Sequence, residues 1–455
     1  MGNISQLSFK ELLSESLSCG CGREHKVEIN NILIEAGAIN KLAAVLKVFE
    51  NKRVFVVQDI NTFEVAGKKV LELIENSFEI TSYTFKEKHL KADEKALGSL
   101  LVAMPKDTAV ILAIGSGTIN DLCRFLAYKL DLPYVILGTA PSMDGYASVV
   151  SPLIVDGIKV TYNAVYPYAI VADTDIMKNA PMYMLQAGFG DILGKYTALA
   201  DWRLAKFIKQ EYFCEEIEKL VQKVLEKCVA EASKIEDRDE KAIENITEAL
   251  VLSGLAIGMA GASRPASGEE HHLSHCWEMM FMNANRHTPW LHGNNVGVGV
   301  GVIAYAYKFV NNIDIEKVYI QGSYKKLGHE AWKKNIKAAY GVSGENIINF
   351  KEKNIAFEEN LREQNFQIIR NKWSEITNIC DVFLPKPEEI IKLLKASGAI
   401  YHPKQLGLDK ESFKLSFIAA KDIRNRFGVL QLLEDLGMLE VAAEAITNIY
   451  YEEEF

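Results

Sequence analysis

"TAVILAIGSGTINDLCRFLAYKL" (residues 108–130) decides the fold. The apolar, partly β-branched run up to the glycines reads as a buried parallel strand entering a tight turn. Residues 119–130 then have the spacing of an amphipathic helix. Strand, turn and helix form the repeating unit of a doubly wound sheet. The same alternation extends outward on both sides. "KRVFVVQD" (52–59), "ITSYTF" (80–85), "LPYVILGTAPS" (132–142) and "YAIVADTDIM" (168–177) read as further strands, and "VAGKKVLELIENS" (65–77) as a helix. "SPLIVDGIKVTYN" (151–163) carries Asp156-Gly157 between two β-type runs, a hairpin signal. Beyond residue 178 the strand signals fade into long helical periods such as "EYFCEEIEKLVQKVLEKCVAEASK" and "PEEIIKLLKASGA". The expectation is an α/β nucleotide-binding domain with a mostly parallel sheet over 1–177, then an all-α domain over 178–455.

Composition narrows the function classes. The chain has 455 residues, is 49% hydrophobic and carries a net charge of −9. With mean hydropathy near zero and a pI of about 5.7, it reads as an ordinary globular protein of two domains. An acidic balance argues against nucleic acid as partner, which needs clustered Lys and Arg. No run of 18 apolar residues suggests a membrane span. "MGNISQLSFKELLSES" lacks the apolar region of a secretory signal. Seven scattered cysteines fit free thiols in a reducing cytoplasm. In "CGCGREH", Cys19, Cys21 and His25 are too few for a closed metal site and read as loop residues.

The glycine turns bear on ligands. Gly115 and Gly117 sit between a strand and a helix, where free backbone N–H groups and the helix dipole suit a phosphate. The pattern is not G-x-G-x-x-G, and a tight turn with a Ser or Thr cap explains it equally well. "GTAPSMDGYAS" supplies a second turn after a strand, rich in hydroxyls at Thr139, Ser142 and Ser148. Two such turns fit the crevice where open α/β sheets bind nucleotides. Asp59 fits either a ribose contact or the start of a turn. Asp144 fits either a substrate contact or an Asp-Gly turn.

Metal-ligating residues cluster later. Asp191 stands among glycines and apolar residues in "QAGFGDILGKYTALADW", so it needs a cation or the role of a helix N-cap. Lys195, at i+4, is one partner within reach. In "SGEEHHLSHCWEM", His271 and His275 are i, i+4 on one helix face. His272 points elsewhere and reads as a solvated residue. "HTPWLHGNNVGVGVGV" adds His287 and His292. One carboxylate and two histidines would make a divalent site with open positions.

Together "GSGTINDL", "TAPSMDGYAS", "GFGDILGKYTALADW", "RPASGEEHHLSH" and "HGNNVGVG" resemble the sn-glycerol-1-phosphate dehydrogenases. These belong to the superfamily of iron-containing alcohol dehydrogenase, glycerol dehydrogenase and dehydroquinate synthase. The motifs span roughly residues 20–305. The resemblance implies Asp191, His271 and His292 as ligands of Zn²⁺ or Ni²⁺. It implies NAD(H) or NADP(H) held by Asp59, by Gly115, Ser116, Gly117, Thr118 and Ile119, by Thr139, Ala140, Pro141 and Ser142, and by Ser148. Substrate contacts would fall on Asp144, Asp191 and His275, with Asp191 and His275 catalytic. The implied reaction is reversible reduction of dihydroxyacetone phosphate to sn-glycerol 1-phosphate, with the metal as Lewis acid at C2, in a cytoplasmic homodimer. Lys195 and Arg264 are the candidates for the phosphate, Arg264 equally a loop residue. Two departures matter. Ser116 replaces a glycine common in relatives, and "HGNN" replaces His-Gly-Glu, removing a carboxylate near His292. The alternatives are a glycerol dehydrogenase or dehydroquinate synthase-like lyase on the same frame, and a non-catalytic nucleotide-binding protein.

Overall fold

The computed structural model describes residues 4–13, 16–87, 89–155, 158–284, 286, 290–322, 324 and 328–452. The hairpin turn at Asp156-Gly157 and His287 lie outside them. A short antiparallel pair, β1 (Leu17–Ser18) and β2 (Glu24–His25), comes first. Then follow β3 (Asn31–Glu35), β4 (Arg53–Asp59), β5 (Glu79–Phe85), β6 (Thr108–Gly115) and β7 (Tyr134–Gly138). The hairpin β8 (Val150–Val155) and β9 (Ile158–Asn163) precedes β10 (Ala169–Asp173). Six strands form one parallel sheet in the order β3-β10-β7-β6-β4-β5. The runs expected as strands are β4, β6, β7 and β10 of the sheet interior and β5 at one edge. β3, an edge strand only half buried, was not among them, because "NILIE" is short and flanked by polar residues.

Five helices position the site residues: α1 (Gly117–Leu130), α2 (Met182–Lys209), α3 (Glu215–Ala230), α4 (Glu240–Ala260) and α5 (Glu269–Asn283). A sixth, α6 (His292–Asn311), carries the glycine-rich run. α4 is long and apolar enough to cross a membrane, but 83% of its apolar stretch is buried inside the protein, as in a core helix.

The chain divides into two compact units. The first comprises Met1–Ile192 and Cys214–Ser263, and the second Leu193–Phe213 and Arg264–Phe455. The boundary expected at 177/178 falls at the end of a short helix, Thr174–Met177, that follows β10. Packing instead returns α3 and α4 to the sheet-bearing unit. One face of the sheet buries Val54, Val110, Leu112 and Val135 against Leu42 and Val70. The second unit has a helical core around Trp277, Tyr307, Tyr340, Phe413 and Phe417.

The strand order reverses between β4 and β6: β5 adds on the far side of β4, and β6, β7 and β10 on the other. Ligands of open α/β sheets bind outside the strand C-termini at such a switch point. Asp59 ends β4, and Gly115 pairs with Gly138 across the ends of β6 and β7. Asp59 and the two glycine turns expected from sequence therefore share one edge of the sheet.

The loop after β7 is held by a residue that sequence reading passed over. Arg124, on α1, has a fully buried side chain. Its Nε donates to the Tyr134 hydroxyl at 2.9 Å and its Nη1 to the Val150 carbonyl at 2.8 Å. Nη1 also reaches the Asp121 carboxylate at 3.3 Å, and Nη2 donates to the carbonyls of Gly145 and Tyr146. A buried guanidinium is tolerated only when its donors are met in this way. Replacing Arg124 with Met leaves these carbonyls unpaired, and should destabilise the fold by about 3 kcal/mol. Chemical denaturation should show this as a lower midpoint. Arg124→Lys should recover little, because it lacks the planar fork.

Candidate active site

In the first unit, the two glycine turns meet through a side-chain bond. Ser116 Oγ lies 2.7 Å from Ser142 Oγ, and the Thr139 N–H donates to the Gly115 carbonyl at 3.1 Å. Ser116 precedes α1 but makes no capping bond, so the cap expected as the alternative is not formed. The turn at Gly115 admits no side chain: a Cβ there would lie 2.7 Å from Ile119 Cβ. These features fit a pyrophosphate group. Asp59 does cap a turn: its Oδ1 accepts from the Asn61 and Thr62 N–H groups at 2.8 and 3.0 Å. Ser148 bonds the start of β8, donating to the Val150 carbonyl at 3.2 Å and accepting its N–H at 3.1 Å.

The Pro141 carbonyl packs so closely on α2 that a Cβ at Gly188 would collide with it. This contact carries the second turn to Asp191, which is interior to α2 and buried, not an N-cap. Asp191 Oδ2 accepts the Asp144 N–H at 3.0 Å. Asp144 opens a short 3-10 turn, and its own carboxylate accepts the Ser253 hydroxyl at 3.0 Å. The two acidic residues expected at substrate are thus joined directly.

The second unit gathers three imidazoles. The rings of His271 and His292 have centroids 5.3 Å apart. His275 stacks on His292 at 4.9 Å with planes 19° apart. α5 brings His271 and His275 to one face, and α6 begins at His292. The glycines let the helices approach: a Cβ at Gly299 would lie 2.8 Å from the Glu270 carbonyl oxygen, and one at Gly194 would lie 3.6 Å from His271 Cε1.

Two of these histidines lean on a carboxylate. His271 Nδ1 donates to Glu270 Oε1 at 2.7 Å, and His292 Nδ1 donates to Glu278 Oε1 at 2.7 Å. Glu270 also accepts the Thr197 hydroxyl at 2.6 Å and the Gly268 N–H at 2.6 Å. Burial alone would raise its carboxyl, but these bonds hold it below the ordinary value. Glu278 supplies His292 with a carboxylate, and sequence reading did not single it out. The signal was present: His271, His275 and Glu278 lie at i, i+4 and i+7 of one helix face.

Other expectations shift. His272 is not solvated: it is 1% exposed, and its Nδ1 donates to Glu269 at 2.8 Å. Burial, with Arg424 and Arg426 nearby, drives its pKa well down. Arg264 is the loop residue, gripping Glu211 with two nitrogens and the Phe427 carbonyl with a third. Lys195 donates to the Ala266 carbonyl at 3.0 Å. Behind α5, Asp201 accepts from the Glu269 N–H, the Val429 N–H and the Tyr307 hydroxyl. Burial and repulsion from Glu269 and Glu270 raise its carboxyl well above the usual range.

Residues 33–181 match the family of iron-containing alcohol dehydrogenases. A glycerol-1-phosphate dehydrogenase [NAD(P)+] from Halalkalibacterium halodurans is 40% identical over 67% of this chain and 77% of its own length. One from Geobacillus thermodenitrificans is 33% identical over 94% of this chain and 98% of its own. The chain belongs to the glycerol-1-phosphate dehydrogenase family. As a family member it is an oxidoreductase, and the resemblance extends past residue 305 into the helical C-terminal part. Glycerol dehydrogenase from Schizosaccharomyces pombe shares the fold, with a TM-score of 0.62 at 16% identity over 94% of this chain and 91% of its own.

The donors suit the divalent metal of the superfamily. With both Nδ1 atoms committed to carboxylates, the Nε2 atoms of His271 and His292 are the ring nitrogens left to face a metal. One donor group here, His275, Glu278 and His292, has its ligand atoms within 4.8 Å of one another. It would need Glu278 to give up its bond to His292, and Arg424 already donates to His275 Nε2 at 3.3 Å. His271→Ala should therefore remove one equivalent of bound Zn²⁺ or Ni²⁺, measured by metal analysis, while His275→Ala retains it. Glu278→Gln should weaken that metal about 10- to 100-fold, read by competition with a chelator.

Proposed function

We propose that the protein catalyses NADH- or NADPH-linked, reversible reduction of dihydroxyacetone phosphate to sn-glycerol 1-phosphate. The names of the relatives support the activity. The observation that carries the phosphorylated substrate is Arg424 at 3.3 Å from His275 Nε2. Burial lowers the Arg424 pKa, and no carboxylate pairs with it among the described residues. Arg426 is pulled down to about 9 by burial and by Arg424 and Arg264. A partly buried guanidinium at Arg424, beside His275 and with Arg426 two residues on, is chemistry that welcomes a phosphate dianion. A glycerol dehydrogenase has no use for it.

Asp191, His271 and His292 would hold the metal. The turns at 115–119 and 139–142, with Asp59 and Ser148, would hold the nicotinamide cofactor. When bound, the metal supplies Lewis acidity at the C2 carbonyl and the nicotinamide supplies the hydride. The chain's own groups do the rest. Arg424 fixes the phosphate, and His275 hydrogen-bonds the substrate at the reacting end. Asp144, tethered by Ser253, lines the substrate with Asp191. Glu270 and Glu278 keep both ligand rings oriented. The same reading gives a cytoplasmic homodimer acting on a small molecule, without nucleic-acid or membrane partners.

The test follows reduced-cofactor absorbance in metal-loaded protein given dihydroxyacetone phosphate. Turnover with NADH or NADPH is expected, and none with either cofactor overturns the proposal. Arg424→Met should raise KM for dihydroxyacetone phosphate about 10- to 100-fold, the loss of one or two charge-assisted bonds. Its effect on unphosphorylated dihydroxyacetone should be small.

A further inference from the structure

We infer that Cys19, Cys21, His25 and Cys214 form a second metal site, a closed structural zinc site within the first unit. Read in sequence, "CGCGREH" lacks a fourth donor. Folding supplies it from the residue just before α3. The four ligand atoms all lie within 4.8 Å of one another.

The separations are those a tetrahedral ion imposes. Zn–S bonds of about 2.3 Å and Zn–N bonds of about 2.0–2.1 Å at tetrahedral angles give S···S of about 3.8 Å and S···N of about 3.5 Å. Cys19 Sγ to Cys214 Sγ is 3.5 Å, Cys21 Sγ to His25 Nε2 is 3.4 Å, and Cys214 Sγ to His25 Nε2 is 3.7 Å. His25 is 1% exposed, and its Nδ1 donates to the Met259 carbonyl at 2.9 Å. That bond fixes the tautomer and turns Nε2 toward the sulfurs, as an outer partner does for a metal-bound histidine. The loop is shaped for two ligands: Gly22 adopts φ +82°, and its N–H closes a turn on the Cys19 carbonyl at 3.2 Å. That turn brings Cys19 and Cys21 to the same point.

A Cys19–Cys214 disulfide explains less. It needs sulfurs about 2.0 Å apart, and it leaves Cys21 and the pinned His25 without purpose. With four protein ligands the site has no open position, which makes it structural, not catalytic. The ion would tie the β1–β2 segment to the start of α3 and, through His25 and Met259, to the end of α4. It is chemically unlike the candidate active site, which has only nitrogen and oxygen donors.

That difference supplies the test. Full-length, fully reduced protein loaded with Co²⁺ should show thiolate-to-cobalt charge-transfer bands in the near ultraviolet and the visible bands of tetrahedral cobalt. The active-site donors have no sulfur and cannot produce the former. Zinc analysis of His271→Ala should still find one ion per chain, and adding Cys214→Ser should remove it. Cobalt-loaded wild-type protein without thiolate bands would overturn the proposal, whether or not Cys214→Ser folds. So would a Cys19–Cys214 disulfide in protein purified under reducing conditions.

Discussion

An imidazole binds a metal well through one nitrogen when something holds the proton on the other. Two carboxylate contacts are placed to do this here, Glu270 to His271, which is buried, and Glu278 to His292, which is part-buried, each at 2.7 Å. They set the tautomers and aim the rings, and would place negative charge behind a cation held there. Much of the second unit serves them. Thr197 and the Gly268 N–H hold Glu270 in place, and the glycines of α6 allow the close helix contact that brings His292 to His271. Asp201 braces the start of α5 from behind through the Glu269 N–H.

The first unit works by backbone geometry. Two turns leave adjacent parallel strands at paired glycines, and a Ser116–Ser142 bond joins them. Arg124 fixes the loop beyond the second turn. The serine that replaces a family glycine at 116 is therefore a link between the turns, its hydroxyl directed to Ser142.

What the sequence showed plainly was local. The strands of the sheet interior, α1 and the β8–β9 hairpin follow from short-range apolar patterns, and the histidine face of α5 from i, i+4 spacing. What it hid was long-range. Arg124 and Arg424 look like ordinary helix and loop charges until folding surrounds them. His272 reads as solvated because burial is a tertiary property, and its partner Glu269 is also buried. Cys214 stands far along the chain from "CGCGREH", so no local spacing links them. Glu278 sat on a legible helix face, but the altered "HGNN" drew attention to the wrong position for a carboxylate.

The account's central claim is a stereospecific reduction at a metal held by these imidazoles, with the phosphate on a cationic pocket. The most direct measurement is the handedness of the glycerol phosphate formed from dihydroxyacetone phosphate and reduced cofactor. The account predicts sn-glycerol 1-phosphate alone. Formation of the 3-phosphate enantiomer, or of a racemic mixture, would contradict it.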